Sequence, residues 1–121
     1  MGSFERSRFD HVGLITEDRK ADESFVPATR VWVTNPRSSP HNVEWLRFEP
    51  DTPVTGPLRE QPHVAYRVPD LAAALAGQEV LAEPFDPTGR GDDFVRVAYV
   101  HVDGAVDELM QYGDPDEEGW F

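Results

Sequence analysis

The sequence predicts an α+β fold in which strands dominate and two similar halves curve round one cleft. Three observations carry this. Apolar and β-branched runs of strand length recur along the 121 residues, whereas one short stretch, 71–76, reads as a strong helix former. The segment HVGLITED, from His11, returns as HVAYRVPD from His63, so that His11/His63, Val12/Val64 and Asp18/Asp70 coincide. The segment EWLRF, from Glu44, aligns with ELMQY from Glu108. Two matches in the same order, both on expected strands, make internal duplication the better reading. The middles differ: His11 to Glu44 is 33 residues and His63 to Glu108 is 45.

Taken in order, residues 1–8 are a polar lead-in. Residues 9–16 (FDHVGLIT) read as a strand. Residues 17–24 (EDRKADES) are charged and long enough for two turns of helix, but they lack the apolar stripe that would dock one. Residues 25–34 (FVPATRVWVT) are strand material interrupted by Pro27, which predicts an edge or a late start. Residues 35–42 (NPRSSPHN) form a loop, 43–49 (VEWLRFE) an alternating strand and 50–62 a proline-rich connector. Residues 63–68 open the second half as a strand. Asp70 is an N-cap for 71–76, and Gly77 is the stop. A short strand falls within 79–85, and a Gly/Pro turn (DPTGRGDD) over 86–93. Residues 94–102 and 105–112 are strands joined by Asp103-Gly104, a strong hairpin signal. The acidic tail, 113–121, is expected to be disordered apart from its aromatic end.

Composition narrows the function. One domain of 13.6 kDa is long enough for a real core. A net charge of −12 repels phosphate backbones, so nucleic-acid binding is not expected as the activity. No apolar run approaches the roughly 20 residues of a membrane span, and the N-terminus lacks the apolar core of a secretory signal. The cysteine count of zero removes disulfides, thiolate metal sites and cysteine nucleophiles, and fits a cytoplasmic protein. Lys20 is the single lysine, and it lies in a charged segment that does not favour Schiff-base chemistry.

Strand parity makes the repeated residues a chemical proposition. His11, Gly13 and Ile15 share one face, as do His63, Ala65 and Arg67; so do Glu44, Leu46 and Phe48, and Glu108, Met110 and Tyr112. Two imidazoles and two carboxylates turned into one cleft suit a single divalent ion such as Zn, Ni, Co, Mn or Fe(II). An octahedral ion held by four such residues keeps two positions for substrate oxygens.

The segments FDHVGL (9–14), VEWLRFEPDTP (43–53), PHVAYRVPDLAAAL (62–75) and DGAVDELMQY (103–112) resemble the vicinal oxygen chelate superfamily, which includes glyoxalase I, methylmalonyl-CoA epimerase, extradiol dioxygenases and bleomycin-resistance proteins. The resemblance implies two βαβββ modules, about 9–50 and about 62–112, forming a curved mixed sheet around a metal. It implies His11, Glu44, His63 and Glu108 as ligands, in a pattern most like bacterial glyoxalase I; the proline-rich link to PHVAYRV is more like methylmalonyl-CoA epimerase. The chain departs from the family at EDRKADESF, which is shorter and more charged than the usual first helix. That helix is therefore expected to be shortened or missing, with the cleft more open on that side.

These readings lead to a metal-dependent lyase or isomerase acting on a small substrate, with Glu44 or Glu108 as the base that moves a proton next to a carbonyl. An Fe(II) dioxygenase using His11, His63 and Glu108 is one alternative, and a ligand-sequestering binding protein is another. Arg67 is either a strand-edge ion pair or an anchor for an anionic substrate, and Phe48 and Tyr112 are expected as pocket wall. His41 is expected in solvent and His101 in a structural hydrogen bond. Arg90-Gly91-Asp92 is read as coincidence and Thr88-Gly89-Arg90-Gly91 as a weak phosphate signal. Apolar Phe25, Trp32 and Trp45, with open sheet edges, lead to the expectation of a homodimer.

Overall fold

A computed structural model describes residues 8–120. The elements are β1 (Arg8–Ile15), β2 (Ser24–Val26), β3 (Val31–Val33), β4 (Val43–Phe48), α1 (Pro57–Glu60), β5 (His63–Arg67), α2 (Leu71–Leu75), β6 (Glu79–Phe85), β7 (Val95–Val102) and β8 (Ala105–Tyr112). The eight strands make one mixed sheet, curled into a half-barrel, in the order β2-β3-β4-β1-β5-β8-β7-β6. The lead-in expected over 1–8 lies, Arg8 excepted, outside the described residues.

The order reads the same from either edge, and so does the register. β1 pairs with β4 in parallel, placing Gly13 beside Glu44; β5 pairs with β8 in parallel, placing Ala65 beside Glu108. Gly13 and Ala65 stand two residues after the repeated histidines. β1 and β5 run antiparallel at the centre, with Val12 opposite Val64, His11 opposite Ala65 and Gly13 opposite His63. The two repeated histidines are therefore neighbours across a local two-fold between Val12 and Val64.

The helices are short. Asp70 caps α2 by accepting from the Ala73 amide at 3.1 Å, and α2 packs Leu71 and Leu75 on Ala98, Val100 and Leu109 at the back of the second half. No helix lies between β1 and β2 among the described residues. The charged segment 17–24 instead covers the back of the first half. Lys20 Nζ sits 4.7 Å from the centre of the Trp45 ring, and Arg47 holds Glu23 with two bonds of 2.7 and 2.8 Å. Trp45 and Arg47 point away from the face of Glu44 and Leu46. The first helix is thus missing, and the charged segment takes its place on the outside of the sheet.

The inner, concave face is lined by Val26, Val31, Val33 and Leu46 from the first half, and by Ala65, Val95, Val97, Met110 and Tyr112 from the second. Pro27 ends the edge strand β2 in a turn to β3. Asp103 and Gly104 turn the final hairpin with φ of 52° and 84°, the left-handed pair that matches strand twist. The tail corrects the disorder expected for it. Arg8 donates to the Pro115 carbonyl at 2.9 Å, Arg37 and Arg67 donate to the Glu118 carbonyl at 2.9 and 2.7 Å, and Trp120 packs against the concave-face residues of both halves. Backbone carbonyls, which the side-chain composition does not report, are what the arginines hold. Phe25, Trp32 and Trp45 are half-buried, and among the described residues Phe9 is the large apolar side chain left exposed. Among the described residues, no helix is long and apolar enough to cross a membrane.

Candidate metal centre

His11, Glu44, His63 and Glu108 converge at the centre of the concave face, each with one ligand atom within 4.8 Å of the others. All four are buried. His11 Nε2 lies 3.4 Å from Glu44 Oε1 and 3.3 Å from Glu108 Oε1. His63 Nε2 lies 3.7 and 3.1 Å from the same two oxygens. Strand pairing explains the convergence. The histidines come from the two central strands, and each carboxylate comes from the strand parallel to one of them, in equivalent register.

Close approach is built into β1. A Cβ at Gly13 would run into the His63 imidazole, 2.5 Å from Nε2. A glycine therefore lets the His63 ring lie across β1 toward its partners. His63 also meets Tyr99 edge-on at 5.4 Å between ring centres.

Beneath His11 is a carboxylate that the sequence reading did not single out. A register shift in β1 between Phe9 and His11 turns both Asp10 and His11 inward. Asp10 Oδ2 lies 2.6 Å from His11 Nδ1, while Oδ1 accepts from Arg37 at 2.5 Å and from Arg67 at 2.8 Å. Burial pushes the Asp10 carboxyl up, but the bonds from His11 and Arg67 and the nearby guanidiniums hold it well below the usual carboxylate range. Burial likewise opposes charge on His11, yet Glu44 and the bonds to Asp10 and Glu108 raise its pKa well above the ordinary imidazole value. Glu108 is lowered despite full burial, because both imidazoles lie close beside it. The metal-free site is thus a proton held among carboxylates, the arrangement a divalent cation replaces by displacing that proton.

The residues fit a metal. His63 Nε2 and Glu108 Oε1 are buried, and each lacks a hydrogen bond even though they lie 3.1 Å apart. Two orphaned atoms aimed at one another's space are costly in a folded protein and are satisfied by an ion between them. His11, held at Nδ1 by Asp10, presents Nε2 to the same point, the usual outer support of a metal-bound imidazole. The cluster can hold one divalent ion.

A cavity of about 30 Å³ adjoins the cluster, bordered by Glu44, Glu108, Val31, Leu46, Tyr99 and Trp120. A second, of about 20 Å³, shares Val31, Leu46 and Tyr99 and extends to Phe48, Val54 and Leu58. Phe48 borders this second cavity. Tyr99 is a further site residue: it stands opposite Glu108 in the β7–β8 ladder, and burial beside Glu108 and Glu44 keeps its phenol protonated. The two-residue turn at Asp103-Gly104 carried this signal, since counting back from it pairs position 99 with 108.

Arg67 lies in an ion pair, one of the two readings open for it, and Tyr112 lies in the core. Arg67 binds Asp10 and the Glu117 and Glu118 carbonyls, with its guanidinium 4.3 Å from the Tyr112 ring centre, and it borders neither cavity. Tyr112 packs in the second-half core and is likewise absent from both walls. Each shares the expected face but stands four residues beyond a ligand, about 13 Å along a strand. His41 is exposed in a turn. His101 faces Glu79 at 3.6 Å across β6 and β7. The glycine turn binds its own Asp86, which accepts from the Thr88 and Gly91 amides at 2.7 Å, so those amides are already engaged.

No protein-family profile matches the chain, and no curated protein does. Its fold is similar to the crystal structure of the hypothetical protein BH1468 from Bacillus halodurans C-125. The TM-score is 0.65 at 16% identity, over 93% of this chain and 99% of that one. A likeness at that identity speaks for the fold alone.

Proposed function

We propose that the chain is a divalent-metal protein of the vicinal oxygen chelate type, built from a duplicated strand-rich module, and that it acts as a lyase or isomerase on a small carbonyl compound. The observation that carries this reading is that both carboxylates of a buried two-histidine, two-glutamate cluster border the cavity where a substrate would sit. The equivalent registers of Gly13 with Glu44 and Ala65 with Glu108 support the duplication. When bound by His11, Glu44, His63 and Glu108, the ion would supply Lewis acidity to a carbonyl oxygen.

The two glutamates then divide the work. Glu108 lies closer to the His63 nitrogen, at 3.1 Å against 3.7 Å for Glu44, and Tyr99 stands opposite it in the β7–β8 ladder. A carboxylate flanked from two sides, with its pKa lowered, is a firm ligand and a weak base. Glu44 is the group assigned to take and return the proton. Tyr99, protonated, flanks Glu108, and the apolar walls from Val31 and Leu46 keep bulk water from the base.

The test is exchange in D₂O. Metal-loaded protein incubated with hydroxyacetone or a short 2-methyl-3-oxoacyl thioester is expected to deuterate the carbon next to the carbonyl, read by NMR. Glu44→Gln should lower exchange about 10²–10⁴-fold, as for a general base, with metal retained; Glu108→Gln should mainly release metal. Oxygen uptake on a catechol without exchange would replace the reading with ring cleavage. Silence in both, with metal bound, would favour a sequestering protein.

A further inference from the structure

We propose that Trp120 sets the size of ligand the metal cavity admits, so that the site takes a short-chain chelator with no charge beyond its chelating oxygens. The inference rests on the metal reading above and adds the ligand class to it.

Space is the first argument. The two cavities measure about 30 and 20 Å³, and a water needs about 10–15 Å³ of such volume. A ligand that places two oxygens at the cluster and a few carbons behind them fills both. Anything longer must displace a wall. Val31, Val33 and Leu46 are buried strand residues paired into the sheet, and moving them disrupts close packing. Trp120 is different. It is half-buried, lies outside any strand, and belongs to a segment held to the body by arginine side chains on the carbonyls of Pro115, Glu117 and Glu118. Its indole reaches the concave-face residues of both halves and closes the cavity beside Glu44 and Glu108.

Charge is the second argument. Among the described residues, no lysine or arginine borders either cavity. Arg37 and Arg67 are committed to Asp10 and the tail, and Arg59 lies over the Phe48 ring without lining the cavity behind it. A carboxylate or phosphate on the ligand's far end would therefore meet apolar walls and no counter-charge, which is costly.

The test uses Co(II)-loaded protein, whose visible spectrum reports ligand binding directly, titrated with acetohydroxamic, butyrohydroxamic, hexanohydroxamic and succinic monohydroxamic acids. The wild type should bind the two short acids, lose affinity for hexanohydroxamic acid and bind the succinic compound poorly. Trp120→Ala should raise affinity for hexanohydroxamic acid about tenfold, the worth of two methylenes newly accommodated, and leave acetohydroxamic acid unchanged. Trp120→Leu, which keeps more of the apolar contact and so protects the fold, should give an intermediate profile. Co(II) binding with the same length profile in wild type and Trp120→Leu would overturn the proposal, as would tight binding of the succinic compound. Failure of Co(II) to bind the folded wild type would overturn the metal reading, and this proposal with it.

Discussion

Asp10 carries the heaviest electrostatic demand in the site, although FDHV draws attention only to the histidine beside it. Its carboxylate is buried, and three side chains bind it: His11 at 2.6 Å, Arg37 at 2.5 Å and Arg67 at 2.8 Å. It fixes a proton on His11 Nδ1 and so keeps Nε2 available. Asp10→Asn keeps the shape and removes the charge. The expected result is metal affinity lower by about 10–100-fold, a loss of about 3 kcal/mol of stability from leaving guanidiniums without their buried partner, and a changed His11 tautomer in nitrogen-15 NMR. Unchanged affinity and tautomer would show that Asp10 merely ties strand to tail. Nothing in residue type or spacing announced this role. The inward turn of Asp10 depends on the register shift in β1, which breaks the alternation that strand reading assumes.

Elements were legible in proportion to how local their causes are. Asp70 and Gly77 bracket a helix that forms as Leu71–Leu75, and Asp103-Gly104 makes the hairpin it announces. EDRKADES, with no apolar stripe, makes no helix. The short α1 inside the 50–62 connector was not anticipated; its prolines masked a single turn begun at Pro57. The final hairpin positions both Glu108 and Tyr99, so its turn chemistry reaches the site. Gly104 has φ of 84°, where a Cβ is strained. Gly104→Ala is expected to cost about 1–3 kcal/mol in urea unfolding without abolishing metal binding, because the β7–β8 ladder from Val95 to Val102 supports the register. A neutral substitution would mean the turn is not constrained as described.

At the scale of the whole molecule, the cluster couples folding to pH and to metal. His11 has a pKa raised above 6.5, so its stabilisation of the metal-free fold is complete below that value and is lost as pH rises through the raised one. Asp10 and Glu108 are lowered from 3.8 and 4.5, so their stabilisation is present above those values and is lost as pH falls through the lowered ones. The metal-free Tm should therefore be highest between these limits and decline on the alkaline side. Metal reverses the alkaline trend, since the ion competes with the His11 proton: affinity should rise with pH, and loading near neutrality should release protons into a weak buffer. A metal-free Tm that rises steadily above pH 6.5, or loading without proton release, would contradict this account.

His11, Glu44, His63 and Glu108 were legible together because the same residue stands at the same strand position in each half, and strand parity then decides the face. Glu44 and Glu108 could be matched in the sequence although the intervening lengths differ, because the longer β6 and β7 of the second half, against β2 and β3 of the first, lie between the matched segments and leave them unchanged. Distance along the strands and backbone partners were not written there. Arg67 and Tyr112 share the correct face yet stand four residues along their strands from the ligands, and only the packed sheet separates face from place. Trp120 reaches the cavity because arginines on β1, β5 and the turn at Pro36–Ser38 hold the carbonyls of a tail whose own composition reads as disorder. Pattern along the chain specifies which residues face inward. Which of them meet depends on contacts between segments far apart in sequence, and those exist only once the sheet has curled.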